Sequence, residues 1–143
     1  MREVILAIVL IALAIFDLKY KEIPLLPVAI GGCIGAVFCF MEEQNIMAVI
    51  AACLPGIMML VFSRLTGEVM GYGDGIVLLL MGVFVTLDKI LFITFIAFCF
   101  AGSVALILFV FFQKKGKYRL PFIPFLCVSY LLDWLCEING GVG

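Results

Sequence analysis

The residues of this chain that could carry out chemistry are two aspartates, Asp17 and Asp74, each at the edge of a long apolar run. The chain contains no histidine, which excludes Ser-His-Asp triads, Cys-His dyads and zinc sites of the usual mixed kind. Two neighbouring carboxylates can share a proton, so that one deprotonates a water molecule while the other donates to a carbonyl oxygen. Chemistry must then come from carboxylates, lysines or hydroxyls, and the two aspartates suggest a protease that needs no cofactor and no metal.

The six cysteines lie within apolar runs, and none of them forms a Cys-x-x-Cys pair. Isolated cysteines in such runs behave as small hydrophobic side chains. We expect neither a disulfide framework nor a metal site from Cys33, Cys39, Cys53, Cys99, Cys127 and Cys136.

The composition is that of an integral membrane protein. Hydrophobic residues make up 66% of the chain and charged residues 13%, whereas soluble domains contain about 45–50% apolar residues. The mean hydropathy is +1.34. The nine Lys and Arg residues are scattered over short segments, and the net charge is −1. A nucleic-acid partner is therefore not expected, and the lipid bilayer is the expected surrounding.

Cutting the sequence at its charged residues leaves six uncharged runs. They predict an all-α polytopic membrane protein with six transmembrane helices in a single domain, residues 1–143. The second, third and fifth runs are long enough to span a bilayer alone, which takes about 20 residues. The first, fourth and sixth are shorter and need flanking residues to complete a span. The runs are Val4–Phe16, Ile23–Met41, Gln44–Ser63, Gly75–Leu87, Ile90–Gln113 and Leu120–Leu132.

Lengthening the short runs carries both candidate aspartates into the membrane edge. The first helix must continue past Asp17 towards Tyr20, and the fourth must begin at or before Asp74. The sixth extends in the same way through Cys136. A charged side chain at the centre of a spanning helix costs about 2.5–3.5 kcal/mol on insertion scales, so Asp17 and Asp74 are predicted to be functional.

The basic residues predict the orientation of the helices. Seven of them follow the first, third and fifth helices, whereas Arg2 and Lys89 lie on the opposite side. The positive-inside rule places the seven in the cytoplasm and both termini outside. Because the first helix runs inward and the fourth outward, both aspartates are expected at the cytoplasmic face of the plasma membrane. The seven are Lys19, Lys21, Arg64, Lys114, Lys115, Lys117 and Arg119.

Each aspartate also has a purely structural interpretation. Asp74 could cap the N-terminus of the fourth helix by accepting a backbone N–H, with the glycines before it forming only a loop. Asp17 lies at the inner end of the first helix, where the helix dipole disfavours an anion. Its alternative is a salt bridge to Lys21 at i+4, which contributes only about 0.2–0.5 kcal/mol on an exposed helix.

Three sequence features accompany the aspartates: an Ile-Pro pair, a glycine-rich turn, and a segment rich in proline and phenylalanine. They are Ile23-Pro24, Gly71-Tyr72-Gly73-Asp74-Gly75 and Leu120-Pro121-Phe122-Ile123-Pro124-Phe125-Leu126. Together with Asp17 they resemble, in order and over nearly the whole chain, the motifs of the type IV prepilin peptidases. These are membrane aspartic proteases with a Gly-x-Gly-Asp motif, whose glycines admit positive φ and close approach of a substrate backbone.

The resemblance implies that Asp17 and Asp74 are the catalytic pair of an aspartic endopeptidase. Its substrates would be pilin-like precursors, cut on the carboxyl side of a glycine that ends a short basic leader. Glu22 and Glu68 flank the site and either attract this leader or are solvated loop charges. The oligomeric state is left open. The motif residues implied to lie near the substrate are Gly71, Tyr72, Gly73, Gly75, Pro24, Pro121, Phe122 and Pro124.

The chain departs from many family members at two positions. Leu25 stands where Asn often follows the Ile-Pro pair, and Ile76 stands where Lys often follows the Gly-x-Gly-Asp motif. Larger members, which also methylate the new N-terminus, carry a segment with paired Cys-x-x-Cys motifs that this sequence does not contain. It therefore resembles the short, peptidase-only branch found with archaeal or tight-adherence pilus systems, and we expect no methyl transfer.

Two other functions remain open on the sequence. Other Gly-x-Gly-Asp intramembrane proteases, of the presenilin or signal-peptide-peptidase kind, carry a Tyr-Asp pair and a Pro-Ala-Leu motif, and this chain contains neither. A small cation or proton transporter could instead use Asp17 and Asp74 to bind its ion. Carboxylates along a continuous path would favour that function, but no acidic residue lies within the second, third or fifth run.

Overall fold

All regular secondary structure in the computed structural model, which describes residues 2–20, 25–65, 71–112 and 121–140, is α-helical. The predicted all-α fold class is confirmed, and so is the number of helices within this part of the chain. The six helices are α1 (Arg2–Tyr20), α2 (Leu25–Met41), α3 (Ile46–Leu65), α4 (Tyr72–Phe84), α5 (Leu87–Phe112) and α6 (Ile123–Gly140).

The three helices that were expected to extend beyond short apolar runs do so. Helix α1 continues past Asp17 to Tyr20, α4 begins at Tyr72 and holds Asp74 in its first turn, and α6 continues to Gly140. The two aspartates are therefore helical residues near helix ends, as the lengths of the runs predict.

Two of the described helices are long and apolar enough to cross a membrane by length and composition, Ile46–Leu65 and Leu87–Leu108. The apolar helices Leu26–Met41 and Tyr72–Phe84 are shorter than a full span. The structure thus supports a membrane protein, with six transmembrane helices remaining a prediction. The ends of α1, α4 and α6 must lie at the membrane edge if all six are to cross.

Helix α4 is the centre of the bundle. It packs against α1, α2, α3 and α5, while α6 lies between α1 and α5. Val77, Leu78, Met81 and Phe84 are each at most 1% exposed, as expected for a helix that is apolar on all sides. The helix that carries Asp74 is therefore held by neighbours around its circumference.

Glycines allow the backbones of α3 and α4 to approach closely. A Cβ atom on Gly82 would lie 2.7 Å from the carbonyl oxygen of Ala52, and one on Gly56 would lie 2.6 Å from the backbone nitrogen of Leu79. Small residues at such contacts are characteristic of helix pairs in membranes, where close van der Waals packing drives association. The contact fixes α4 against the long apolar helix α3.

Ion pairs collect at the end of the bundle opposite the two aspartates. Arg2 pairs with Glu42 at 2.7 Å, joining the start of α1 to the turn after α2. Lys89 pairs with Glu3 at 3.7 Å and also with Glu137. Since α1 rises about 1.5 Å per residue, these pairs and Asp17 lie at opposite ends of that helix. The helix bundle therefore has one acidic, ion-paired end and one end that carries the aspartate pair.

The distribution of basic residues predicts which end faces the cytoplasm. In a background with all native cysteines replaced, we expect Lys117→Cys to be protected from a membrane-impermeant thiol reagent in intact cells. Asp88→Cys, at an exposed position in the first turn of α5, is the matched control and should be labelled. Labelling at position 117 with protection at position 88 would reverse the proposed orientation.

Candidate active site

Three helix ends meet around the two aspartates. Asp17 lies near the C-terminal end of α1, Asp74 lies in the first turn of α4, and the backbone of Ile123, the first residue of α6, contacts the Asp17 carboxyl group. The charge of Asp17 acts on the Asp74 carboxyl group. Two carboxylates far apart in the sequence are therefore brought together, as the alternation of helix directions predicts.

The Asp17 side chain is buried, with 8% of its surface exposed. Its Oδ2 atom has no hydrogen-bond partner within the described part of the chain. The backbone N–H of Ile123 interacts with this carboxyl group. The dipole of α1 disfavours an anion at this position, whereas the N-terminal end of α6 favours one. Helix α6 thus supplies the favourable electrostatic contact that α1 cannot.

Asp74 folds back over the residue that begins its helix. The N-cap of α4 is Gly71, whose carbonyl oxygen accepts the Asp74 backbone N–H at 3.0 Å. A Cβ on Gly71 would lie 2.7 Å from Asp74 Oδ2. The structural alternative in which Asp74 itself is the N-cap is wrong, because Asp74 lies within the first helical turn.

The same contact changes the physical reason for a glycine at position 71. Gly71 has a φ of −59°, a value open to any residue, so this position does not require the positive φ that glycine allows. A side chain here would meet the Asp74 carboxylate, which would have to turn to another position. The first glycine of the motif therefore controls where that carboxylate can lie.

The start of α6 is fixed by aromatic packing. Phe122 is 8% exposed, and its ring centroid lies 4.8 Å from that of Phe98 on α5. Pro121 and Pro124 are half-buried on either side of Phe122 and Ile123. The proline- and phenylalanine-rich segment thus holds the Ile123 N–H against Asp17, since its side chains anchor the backbone on both sides of that donor.

The remaining motif residues are placed differently from one another. Tyr72 is 49% exposed and Gly73 is half-buried. Gly75 is buried against α3, where a Cβ would lie 2.8 Å from Leu60 side-chain carbons. Gly75 therefore lies in the packing contact between α4 and α3. Pro24 lies outside the described residues, as do Glu22 and Glu68.

Neither aspartate forms an ion pair with a basic side chain within the described residues, whose ion pairs all lie at the opposite end of the bundle. Lys21, the candidate partner of Asp17, lies outside that part of the chain, so the salt-bridge alternative is not tested. No group of three or more His, Cys, Asp or Glu side chains among the described residues is arranged to hold a metal ion.

The sequence profile of the type IV leader peptidase family matches residues 4–107. The chain belongs to the type IV leader peptidase family. Searches among curated proteins and among solved structures gave no significant match. The matched range contains both aspartates and the whole Gly-x-Gly-Asp motif, and it ends before Pro121. Family membership indicates a protease of the aspartic kind.

Sequence reasoning did not single out Ile123. It identified Pro121, Phe122 and Pro124, but the backbone that interacts with Asp17 belongs to the residue between Phe122 and Pro124. The available signal was the Pro124 near the start of a helix, since proline is tolerated in the first helical turn and so marks Ile123 as a residue of the helix N-terminus. Helix N-termini leave N–H groups without an intrahelical partner.

Proposed function

We propose that the protein is a membrane aspartic endopeptidase in which Asp17 and Asp74 are the catalytic pair. Its substrates are type IV pilin-like precursors, from which it removes a short basic leader by cleavage after a glycine. Cleavage takes place at the cytoplasmic face of the membrane, where the positive-inside rule puts this end of the bundle.

The observation that carries the proposal is the meeting of two carboxylates at three helix ends. Asp17 and Asp74 interact electrostatically and have no basic partner among the described residues. Like charges at close range disfavour double ionisation, so such a pair retains one proton. A pair with one proton supplies a base and an acid at once, which is what peptide hydrolysis by aspartates requires.

The reaction follows from the two protonation states. The ionised carboxylate takes a proton from a water molecule, whose oxygen attacks the scissile carbonyl carbon, while the protonated carboxyl group donates to the carbonyl oxygen. In the second step the first carboxyl group gives its new proton to the leaving nitrogen. The C–N bond breaks, and a hydroxyl of the tetrahedral intermediate returns a proton to the second carboxylate. The pair then regains its starting state without a cofactor.

The surface beside Asp74 is open to an extended substrate segment. Gly71 and Tyr72 are both exposed, so this side of the site has no covering helix within the described residues. An extended chain could bind along such backbone through strand-like hydrogen bonds. Asp17, in contrast, is enclosed. A substrate would therefore approach from the side of the Gly-x-Gly-Asp turn.

Co-expression with a pilin-like precursor tests the function directly. We expect wild-type protein to convert the precursor to a form of higher mobility whose N-terminus begins just after the leader glycine. A precursor with that glycine replaced by a bulky residue should stay intact. An unprocessed precursor in the presence of folded, inserted enzyme would count against this substrate class, and a cut elsewhere would count against the glycine rule.

A further inference from the structure

We propose that the end of the bundle opposite the aspartates binds one phospholipid whose headgroup carries a phosphate and a primary ammonium group. The headgroup occupies a cavity formed by the start of α1, the turn after α2 and the last turns of α6. This binding site is separate from the aspartate pair, and it does not depend on the proposed peptidase activity.

The cavity has a volume of about 960 Å³, which lies within the range of about 300–1,000 Å³ that is usual for small-molecule sites. Helices α2 and α6 each pack against α1, and side chains from all three line the cavity. Its polar lining comes from Arg2, Glu42 and Gln44, and its aromatic lining from Phe38 of α2 and Trp134 of α6. Such a mixture of charged and aromatic side chains suits a ligand that is itself amphipathic.

The polar side chains of the cavity form a network that is already in place. The Arg2 guanidinium donates to Glu42 Oε2 at 2.7 Å, and Gln44 Nε2 donates to the same oxygen at 3.1 Å. The Cys39 thiol lies 3.6 Å from Gln44 Oε1 and 3.3 Å from the Val83 carbonyl oxygen. The network joins the start of α1 to the ends of α2 and α4. Its charged groups are therefore held in position, which lowers the cost of ordering them when a ligand binds.

The charges around the cavity match those of a zwitterionic headgroup. The guanidinium of Arg2 carries five N–H donors in a plane, a geometry that suits a phosphate, and its ion pair with Glu42 involves one carboxylate oxygen. The ion-paired cluster contains two basic side chains, Arg2 and Lys89, and three acidic ones, Glu3, Glu42 and Glu137. One negative charge is therefore left over, which favours an ammonium group and disfavours a headgroup that is only anionic.

An apolar stripe leads from the cavity along the outer face of α1. Val4 lines the cavity and is followed at helical spacing by Ile8, Ile11 and Ile15, and these four side chains are between 41% and 62% exposed. At 1.5 Å per residue the stripe is about 16 Å long, close to half of the hydrocarbon thickness of about 30 Å. This is the depth that one acyl chain occupies. The occupant is therefore a whole phospholipid of the leaflet at this end of the bundle.

Trp134 allows binding to be measured directly, because it is the chain's single tryptophan and lines the cavity. Phospholipids with brominated acyl chains quench its fluorescence in reconstituted vesicles when they bind beside it. We expect brominated phosphatidylethanolamine to bind roughly three- to tenfold more tightly than brominated phosphatidylglycerol, since a charge-assisted hydrogen bond from the ammonium group distinguishes them. Equal quenching by the two lipids at every mole fraction would overturn the proposal.

Substitution of the carboxylates tests what selects the ammonium group. We expect Glu42→Gln to remove most of the preference for phosphatidylethanolamine, and Glu3→Gln is a second variant in case the first does not fold. Asp88→Asn is the matched control, because Asp88 is exposed at the same end of the bundle and does not line the cavity. The control should keep the wild-type preference. An unchanged preference in folded Glu42→Gln or Glu3→Gln would show that these carboxylates do not select the headgroup and would overturn the proposal.

Native mass spectrometry of the detergent-solubilised protein tests the contact with the phosphate. We expect wild type and Asp88→Asn to retain one phosphatidylethanolamine molecule, and Arg2→Gln to retain none. Retention by Arg2→Gln would overturn the role of the guanidinium. Soluble glycerophosphoethanolamine should not displace the lipid at equal concentration, and displacement would show that the site binds a free headgroup instead of a membrane lipid. All of these outcomes are independent of whether the protein cleaves a precursor.

Discussion

Replacing Asp17 or Asp74 by asparagine is expected to abolish leader processing, with a fall of roughly 10³-fold or more. Asparagine keeps the size of the side chain but can neither take a proton from water nor donate an acidic one. The protein should still fold and insert, because removing a charge from a membrane segment does not cost insertion energy. Processing of a co-expressed precursor, measured by mobility shift, reports the loss.

The double variant distinguishes a catalytic pair from two separate contributions. Residues that act as one unit are strongly non-additive, so the variant with both asparagines should be no worse than either single one. Asp88→Asn and Asp133→Asn are matched controls: both lie in the described helices, away from the aspartate pair. We expect both to keep near wild-type activity.

One pattern of results would separate the two aspartates. If Asp17→Asn retained near-normal cleavage while Asp74→Asn was inactive, Asp17 would return to a structural role, with Lys21 as its candidate partner. If both single variants were as active as the wild type, the proposed catalytic pair would be rejected.

Replacement of the cysteines by serine should leave processing intact, since Cys39 and Cys53 direct their thiols at backbone carbonyls of α4.

The meeting of Asp17 and Asp74 could be predicted because membrane burial makes charge expensive. Short apolar runs forced the first helix to continue past Asp17 and the fourth to begin before Asp74, and the observed bounds agree. Alternating helix direction then brought both to one end of the bundle. These inferences need only lengths, charges and parity, all of which are read directly from a sequence.

The contact between Ile123 and Asp17 could not be predicted in the same way. It is made by the backbone, and the identity of Ile123 as an amino acid says nothing about which carboxylate its backbone meets. The role of Gly71 was also hidden, because its φ is ordinary and only the position of the Asp74 carboxylate explains it. Gly82 shows the same limit, since a sequence reveals a small residue but not the helix that approaches it.

The second large effect is expected from Gly82→Ala. A Cβ at this position would lie 2.7 Å from the Ala52 carbonyl oxygen and 2.9 Å from the Cys53 Cα. Backbone atoms cannot rotate away as a side chain can, so α3 and α4 must separate by several tenths of an ångström. Overpacking of this kind typically costs about 1–3 kcal/mol. Thermal unfolding in detergent should show a clear loss of stability.

The same substitution should lower processing, because α4 carries Asp74 and its displacement changes the position of that carboxylate relative to Asp17. Gly102→Ala is the matched control: it lies within α5, and a Cβ there would have no described neighbour within 4 Å. Alanine favours a helix over glycine by about 0.8–1.0 kcal/mol, so Gly102→Ala should be as stable as wild type or more so. Equal stability of Gly82→Ala and Gly102→Ala would mean that α3 and α4 do not pack at the close distance described here.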